Sequence, residues 1–399
     1  MTRPRILFLC LEAPWHLNAG ALIRNYWMVI GLARRFDVDV VISERTPVPP
    51  SPEFAAACAT IAQIQAPSGV LGRIGRAAAS LAPGESFFTA GQVSSSLIRH
   101  VQRLVDERDY AAIHVDDLPI RCALPRRNCP PIVYASHNCE YALFHRRAEI
   151  ETGPLRALAL FDAERVRRIE SELAQRAVLI TACSEDDIRD LVEFCGMDAR
   201  HAVVVPNGVD VARYAEVANR QSEPSTILIS GSMDWRPNQQ GLRWFMADVL
   251  PKLAQAVQDG VCTIRVAGRM NAELVRELGA YPGVTPSPNP ADMRDELARA
   301  RIVVAPILAS SGTRLRILEA WAAGRPVVTT PAGAFGLEYR DGDELLCAQE
   351  PGAFADAILR ILRDAPLWEH VRGCATARVA QYDWRRICDT IESSHAAVL

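Results

Sequence analysis

Short runs of β-branched and apolar residues recur along this chain at 5–10, 38–43, 111–115, 132–136, 178–182, 226–230, 263–267, 302–306 and 327–330, with helix-length stretches between them. Such alternation favours parallel strands, because a parallel neighbour is reached only through a crossover, and the crossover helices cover both faces of the sheet. The series breaks once. The polar segment 220–225 follows PNGVD and precedes a fresh strand, so a domain boundary is expected within 205–225, with one domain over 1–205 and a second over 206–381. Residues 382–399 place Trp384, Ile387, Ile391 and Ala396 at near-helical spacing. Residues 46–90, rich in Pro, Ala and Gly, are the least regular part and are expected to form a mobile flap with one helix.

Composition narrows the classes. The chain has 399 residues, 49% hydrophobic and 23% charged, which fits two ordinary globular domains and not disorder. A net charge of -3 gives no pull toward nucleic acid, so no nucleic-acid partner is expected. Arginines cluster locally at 126–127, 146–147 and 165–168, where they can meet anionic lipid headgroups or a phosphorylated acceptor, or form a solvated face paired with Glu164, Glu170 and Glu172. No apolar run approaches the roughly 20 residues that span a bilayer, and the N-terminus runs straight into a strand without a signal pattern, so a cytoplasmic protein is expected, with peripheral contact at the cytosolic membrane face as its only membrane association. The 11 cysteines contain no CxxC pair and read as reduced, packed thiols; Cys122 and Cys129 lack the histidine or second pair that a zinc set requires.

The segment 301–330, RIVVAPILASSGTRLRILEAWAAGRPVVTT, reads as strand, polar glycine loop, amphipathic helix and strand. Unpaired amides point outward at such a helix start, where the dipole is positive, so a phosphate or diphosphate can sit there. Gly312 frees the backbone, and Arg314 and Arg316 add fixed positive charge. Glu319 lies about two turns into the helix, where it can accept hydrogen bonds from sugar hydroxyls or be a solvated helix residue. Near the N-terminus, Asn18, Ala19 and Gly20 end a strand-loop and open a helix, whose amides can also approach a phosphate, with Arg24 one turn further on.

SGTRLRILEAWAAGRPVVTTPAGAFGL resembles the donor-site signature of the family 4, group 1 type glycosyltransferases, retaining enzymes that use nucleotide-diphosphate sugars. SHNCE at 136–140, VVVPNGVDVARY at 203–214 and ISGSMDWRPNQQGLRWF at 229–245 are similar, in order, to that family's N-domain histidine loop, interdomain crossing and first C-domain strand and loop. The resemblance implies the α/β GT-B fold: two doubly wound, Rossmann-like domains facing a central cleft, with the C-terminal helix 382–399 returning to the N-terminal domain. It also implies acceptor binding by the N-terminal domain and nucleotide-sugar binding by the C-terminal one. His137, Arg314 and Glu319 become the candidate catalytic residues. Gly20, Arg24, Gly231, Arg236, Arg269, Ser311, Gly312, Thr313 and Arg316 become candidate donor contacts, and Asn18, Asn138 and Glu140 acceptor-side groups, with Glu140 alternatively orienting His137. The expected partners are a nucleotide-sugar donor and a glycan, lipid-linked or small-molecule acceptor, without metal or cofactor.

Two departures from the pattern stand out. The family usually supplies a lysine near the diphosphate, whereas Lys252 is the only lysine here and lies in a helix-like stretch. Arg314, then Arg236, then Arg269 are the expected substitutes, since arginine grips a diphosphate bidentately. The family pattern also places a Glu eight residues before Glu319, where this chain has Ser311, which leaves sugar identity open. In the retaining mechanism that the resemblance implies, the leaving diphosphate takes the acceptor proton, so no enzymic nucleophile is needed. A nucleotide-sugar epimerase of the same fold and a binding protein without turnover are the alternatives. A metal-dependent transferase would need an Asp-x-Asp, but 37–39 reads as strand and 341–343 as turn; a pyridoxal-dependent phosphorylase would need a better-placed lysine than Lys252.

Overall fold

In the computed structural model all residues are described except 1, 2, 18, 67–74, 76–78, 81, 83, 151, 152 and 309–314. The first sheet contains β1 (Arg5–Cys10), β2 (Asp37–Glu44), β3 (Thr60–Gln65), β4 (Ala112–Asp116), β5 (Ile132–Ser136), β6 (Ala177–Ala182) and β7 (Ala202–Val204). The second contains β8 (Thr226–Ser230), β9 (Thr263–Gly268), β10 (Val284–Pro288), β11 (Ile302–Ala305), β12 (Val327–Thr329) and β13 (Leu346–Cys347). Every pairing is parallel, in the orders β3-β2-β1-β4-β5-β6-β7 and β10-β9-β8-β11-β12-β13. Both are doubly wound, and the strand order reverses between β1 and β4 and between β8 and β11. By packing the chain divides into two units, Met1–Asn207 with Arg386–Leu399, and Gly208–Arg385.

Alternating side chains build a core on each face of the central strands. In the second sheet Ile227, Ile264 and Val304 pack with Phe245 and Phe354 on one face, while Leu228 and Val303 pack with Leu318 and Trp321 on the other. In the first, Leu7, Val115, Tyr134 and Ile180 pack with Leu97, Val166 and Ile169. Four strands go beyond the sequence expectation: β3, β7, β10 and β13. All are outer strands and only partly buried, so they lack the continuous apolar run of a strand covered on both faces. Within 46–90, Pro52–Ala57 forms a helix and Thr60–Gln65 pairs with β2, so 52–65 is helix and sheet edge; most of 67–83 lies outside the described residues. The Asp37–Asp39 pair lies in β2, where Asp39 is buried and accepts from Arg5, Thr60, Arg108 and Tyr110. Those donors hold its carboxyl below the usual range although burial alone would raise it.

The helix Trp384–Val398 contributes to the first unit through a buried histidine pair. His114 in β4 stacks on Phe8 at 4.6 Å between centroids, and its Nδ1 lies 3.3 Å from Nε2 of His395. Because Nδ1 of His395 lies 2.7 Å from the Ile391 carbonyl, that nitrogen carries the proton, Nε2 accepts, and Nδ1–H of His114 donates. Both rings are therefore neutral. Burial drives the His114 pKa well below the ordinary value and that of His395 to about 4. Since both folded values are depressed, protons bind more tightly to the unfolded chain, so stability is intact above about 6.5 and lost as pH falls toward about 4. His395→Gln is expected to flatten the fall in the urea midpoint of the first unit between pH 7 and 5, removing about 2 kcal/mol of acid sensitivity at pH 5. An unchanged slope would mean that the pair is already charged or open to water.

Candidate functional site

The carboxyl ends of the central strands carry the polar groups. In the second unit β8 ends at Ser230 and runs into Gly231, whose φ of 140° is open only to glycine. Arg316, near the start of the helix Leu315–Ala322, donates from Nη1 to the Ser230 carbonyl at 2.6 Å. A Cβ at Gly231 would lie 2.6 Å from its guanidinium nitrogens, so the missing side chain makes room for the cation. Burial lowers the pKa of Arg316, but an arginine stays charged under such a shift. One turn on, Oε1 of Glu319 accepts from the Tyr214 hydroxyl at 3.0 Å. Burial raises its carboxyl, opposed by Tyr214, Arg316 and Arg213. Glu319 is therefore a partly buried, partnered carboxylate and not a freely solvated helix residue.

The other expected cations lie on three different segments of the second unit, Arg269 directly after β9. Arg269 pairs with Asp234 at 2.6 Å and donates to Ser232 Oγ at 3.2 and 3.3 Å, so its charge is compensated by the loop that follows Gly231. Arg236 opens the helix Arg236–Trp244 and is exposed. Lys252 is exposed on the helix Leu250–Gln258. Ser311, Gly312, Thr313 and Arg314 lie outside the described residues, as does Asn18.

In the first unit Gly20 opens the helix Gly20–Ala33, and its N-cap Ala19 offers no side-chain acceptor to the first amides. Arg24 is fully buried and donates from Nη1 to the Val205 carbonyl at 2.6 Å and to Asn207 Oδ1 at 3.4 Å. It thus ties the first helix to the end of the unit. Its Nε and Nη2 have no hydrogen-bond partner among the described residues, and neither has Oδ2 of Asp116.

His137 follows β5, and its Nε2 lies 3.0 Å from Oδ1 of Asp116, the last residue of β4. Burial would lower the imidazole pKa, but Asp116 and Asp117 raise it. Asp116, and not Glu140, is the group that orients His137. Glu140 opens the next helix, buried, with its carboxyl driven well up by burial, by Glu170 and by Asp117. The carbonyl of Asn138 accepts from Ser136 Oγ at 2.7 Å, which tightens the loop between them. Asp117 stands in the left-handed region at φ 79°, and burial, with Asp116 and Glu12, pushes its carboxyl to about 6 against the pull of His137. Sequence reasoning missed both aspartates. The signal was HVDD, two acids where an apolar strand stops.

Two family models match the chain: glycosyltransferase family 4 over residues 28–213 and glycosyl transferases group 1 over residues 224–364. The phosphatidyl-myo-inositol mannosyltransferase of Mycobacterium tuberculosis is 28% identical over 233 residues, covering 53% of this chain and 60% of that protein. That of Mycolicibacterium smegmatis is 27% identical over 299 residues, 72% of this chain and 71% of that protein. The chain thus spans about three fifths of the length of the first of these relatives. Among solved structures, HepE of Anabaena in complex with UDP and glucose superposes with a TM-score of 0.68 at 17% identity, covering 99% of this chain and 100% of that one, which shows a shared fold.

The fit of Arg316 over Gly231 yields a direct test. Gly231→Ala places a methyl group where the guanidinium lies and is expected to weaken nucleoside diphosphate binding by about tenfold or more in calorimetric titration, while unfolding remains cooperative. Unchanged affinity in a folded variant would remove Arg316 from the site.

Proposed function

Because the chain belongs to the family 4, group 1 type glycosyltransferases and has their GT-B fold, we propose that it moves a sugar, with retention of configuration, from a nucleotide-diphosphate donor to a glycan, lipid-linked or small-molecule acceptor. The observation that carries this reading is Arg316 seated on Gly231, beside Glu319, at the point where the strand order of the second sheet reverses. HepE was solved with UDP and glucose, and the mycobacterial relatives are mannosyltransferases by name; both support a nucleotide-sugar donor for this chain.

Expelling a diphosphate requires fixed positive charge on the leaving group while positive charge grows at the anomeric carbon. In the proposed reaction Arg316 and Arg314 hold the diphosphate together with the amides of Ser311, Gly312 and Thr313, with Arg236 and Arg269 at its margin. Glu319 accepts from the ribose hydroxyls. His137 donates to Asp116 from Nε2, which leaves Nδ1 to accept from a donor-sugar hydroxyl. Asp117, whose carboxyl is raised to about 6, holds an acceptor hydroxyl. The acceptor oxygen attacks the face that the diphosphate leaves, its proton passes to the departing phosphate oxygen, and no enzymic nucleophile or metal takes part.

The acceptor's source bears on a surface of the first unit. In the helix Gly153–Arg176, Leu155, Leu158 and Phe161 are 64%, 49% and 60% exposed, three apolar side chains at helical spacing with Arg156 among them. The arginine clusters themselves are largely engaged: Arg167 and Arg168 with Glu164, Arg146 with Asp190. An apolar stripe beside basic groups suits an anionic lipid surface. Among the described residues no helix is long and apolar enough to cross a membrane.

Two measurements check these proposals. Calorimetric titration with UDP, GDP and ADP, without and with magnesium, is expected to give saturable, metal-independent binding of one nucleotide, weakened by Arg314→Ala and by Glu319→Ala; equal affinity in both variants sinks the donor site. In flotation with vesicles containing an anionic lipid, the protein is expected to float and the double variant Leu155→Asp, Phe161→Asp to remain below; equal flotation of both removes this face as the contact.

A further inference from the structure

Glu170 projects from the helix Gly153–Arg176 into the first unit and is fully buried. It was expected to be a solvated partner of neighbouring arginines. Instead, five donors converge on its carboxylate. Oε1 accepts from the Glu140 amide at 3.0 Å and from the Tyr134 hydroxyl at 3.2 Å. Oε2 accepts from the Tyr141 amide at 3.0 Å and from the thiols of Cys139 and Cys195 at 3.8 and 3.7 Å. Every partner is a donor, and these hydrogen bonds oppose the burial that raises the carboxyl's pKa.

The placement of these donors gives the cluster its meaning. The helix Glu140–Ile150 begins directly after the His137 loop, and its first amides have no partner within the helix. An Asp, Asn or Ser preceding a helix would normally accept from them, but Cys139 occupies that place and its thiol points to Glu170. Glu170 therefore caps this helix from a different one. It also grips Tyr134 in β5, so it holds the chain on both sides of Ser136, His137 and Asn138. At the far side of the same loop His137 meets Asp116 at 3.0 Å.

We propose that Glu170 is a positioning residue: by fixing Tyr134 before the loop and the amides of Glu140 and Tyr141 after it, it sets the loop so that the His137 imidazole stands on Asp116. Its importance for turnover rests on the proposed glycosyl transfer, whereas the geometric claim does not. The two thiols complete the cluster by satisfying Oε2 without adding a second charge. Removing the carboxylate would leave two helix-start amides and a phenol unpaired in the interior, and the loop would gain the freedom to rotate His137 away from Asp116.

The test follows the His137 imidazole by NMR in histidine-labelled protein, with His137→Gln identifying its signal. The titratable and charged groups that bear on the ring are Asp116, Asp117, Arg24 and the neutral His114. In the wild type its midpoint is expected above about 6.5, the ordinary histidine value, and in Glu170→Gln it is expected to move down toward that value. Turnover in the same variant is expected to fall by about 100-fold, with kcat affected more than the donor KM, because misplacing a site group by about 1 Å costs this much. If Glu170→Gln does not fold, Tyr134→Phe removes one grip while keeping the carboxylate, and a smaller shift of the same sign is expected. An unmoved His137 titration in a folded Glu170→Gln, or in Tyr134→Phe if that is the variant that folds, overturns the proposal. If the wild type transfers no sugar, the titration still decides the positioning claim by itself, while the proposed function fails separately.

Discussion

Parallel strands covered by helices on both faces leave almost no place for polar chemistry except the strand ends. β1, β4, β5, β8, β11 and β12 are buried along nearly their whole length, so a charged side chain within them must be neutral, as His114 is, or closed in by partners. Only where a strand stops can carboxylates, imidazoles and backbone amides stand together without an apolar lid. Ser230 and Gly231, Asp116 and Asp117, and Ser136 and His137 all stand at such stops. The reversal of strand order then decides which stops matter. Between β1 and β4, and between β8 and β11, the following connections depart to opposite faces and leave a crevice that neither covers.

Buried charge is managed in two ways that separate scaffold from site. Arg325 is closed in by four carbonyl acceptors, those of Val217, Arg220, Leu297 and Ala298, at the ends of two helices, where the dipole also favours a cation. Burial lowers its pKa to about 10, yet it remains charged at neutral pH. Asp39 is enclosed in the same manner by four donors. The charge of each is met by groups of the protein, and both act as fixed ties. Arg24 and Asp116 differ: each spends part of its capacity on the protein, and Nε and Nη2 of one and Oδ2 of the other have no partner among the described residues. Partly used capacity in buried charged groups is the pattern expected where a polar ligand completes the set.

Much of this was legible in the sequence because it depends on local pattern. Doubly covered strands give apolar runs, and Gly231, His137 and Glu319 sit at fixed offsets from them. What escaped depends on neighbours distant in sequence. β10, with prolines at 286 and 288, is tolerated as a strand because it lies at a sheet edge, which no local pattern reveals. Glu170 sits among charged residues, RRIESE, and looks solvated; only the docking of the start of the helix Glu140–Ile150 turns it inward. Asp117 gives no sign in sequence of its left-handed backbone, since that conformation is imposed by the turn it makes after β4.

The near absence of lysine acquires a physical reason at the Arg316 position. Where Lys252 is the only lysine, every cation at the proposed diphosphate site is an arginine. Burial lowers the pKa of Arg316 from its model-compound range near 12.5, and the same desolvation acting on a lysine, which starts about two units lower, would bring it closer to neutrality. The planar guanidinium also packs over Gly231 while Nη1 holds the Ser230 carbonyl, a directed placement that a tetrahedral ammonium on a flexible stem cannot match with the same precision. Arginine at this position therefore combines persistent charge with fixed direction. The glycine that admits it and the arginine that fills the space form one device, so neither can be exchanged without the other.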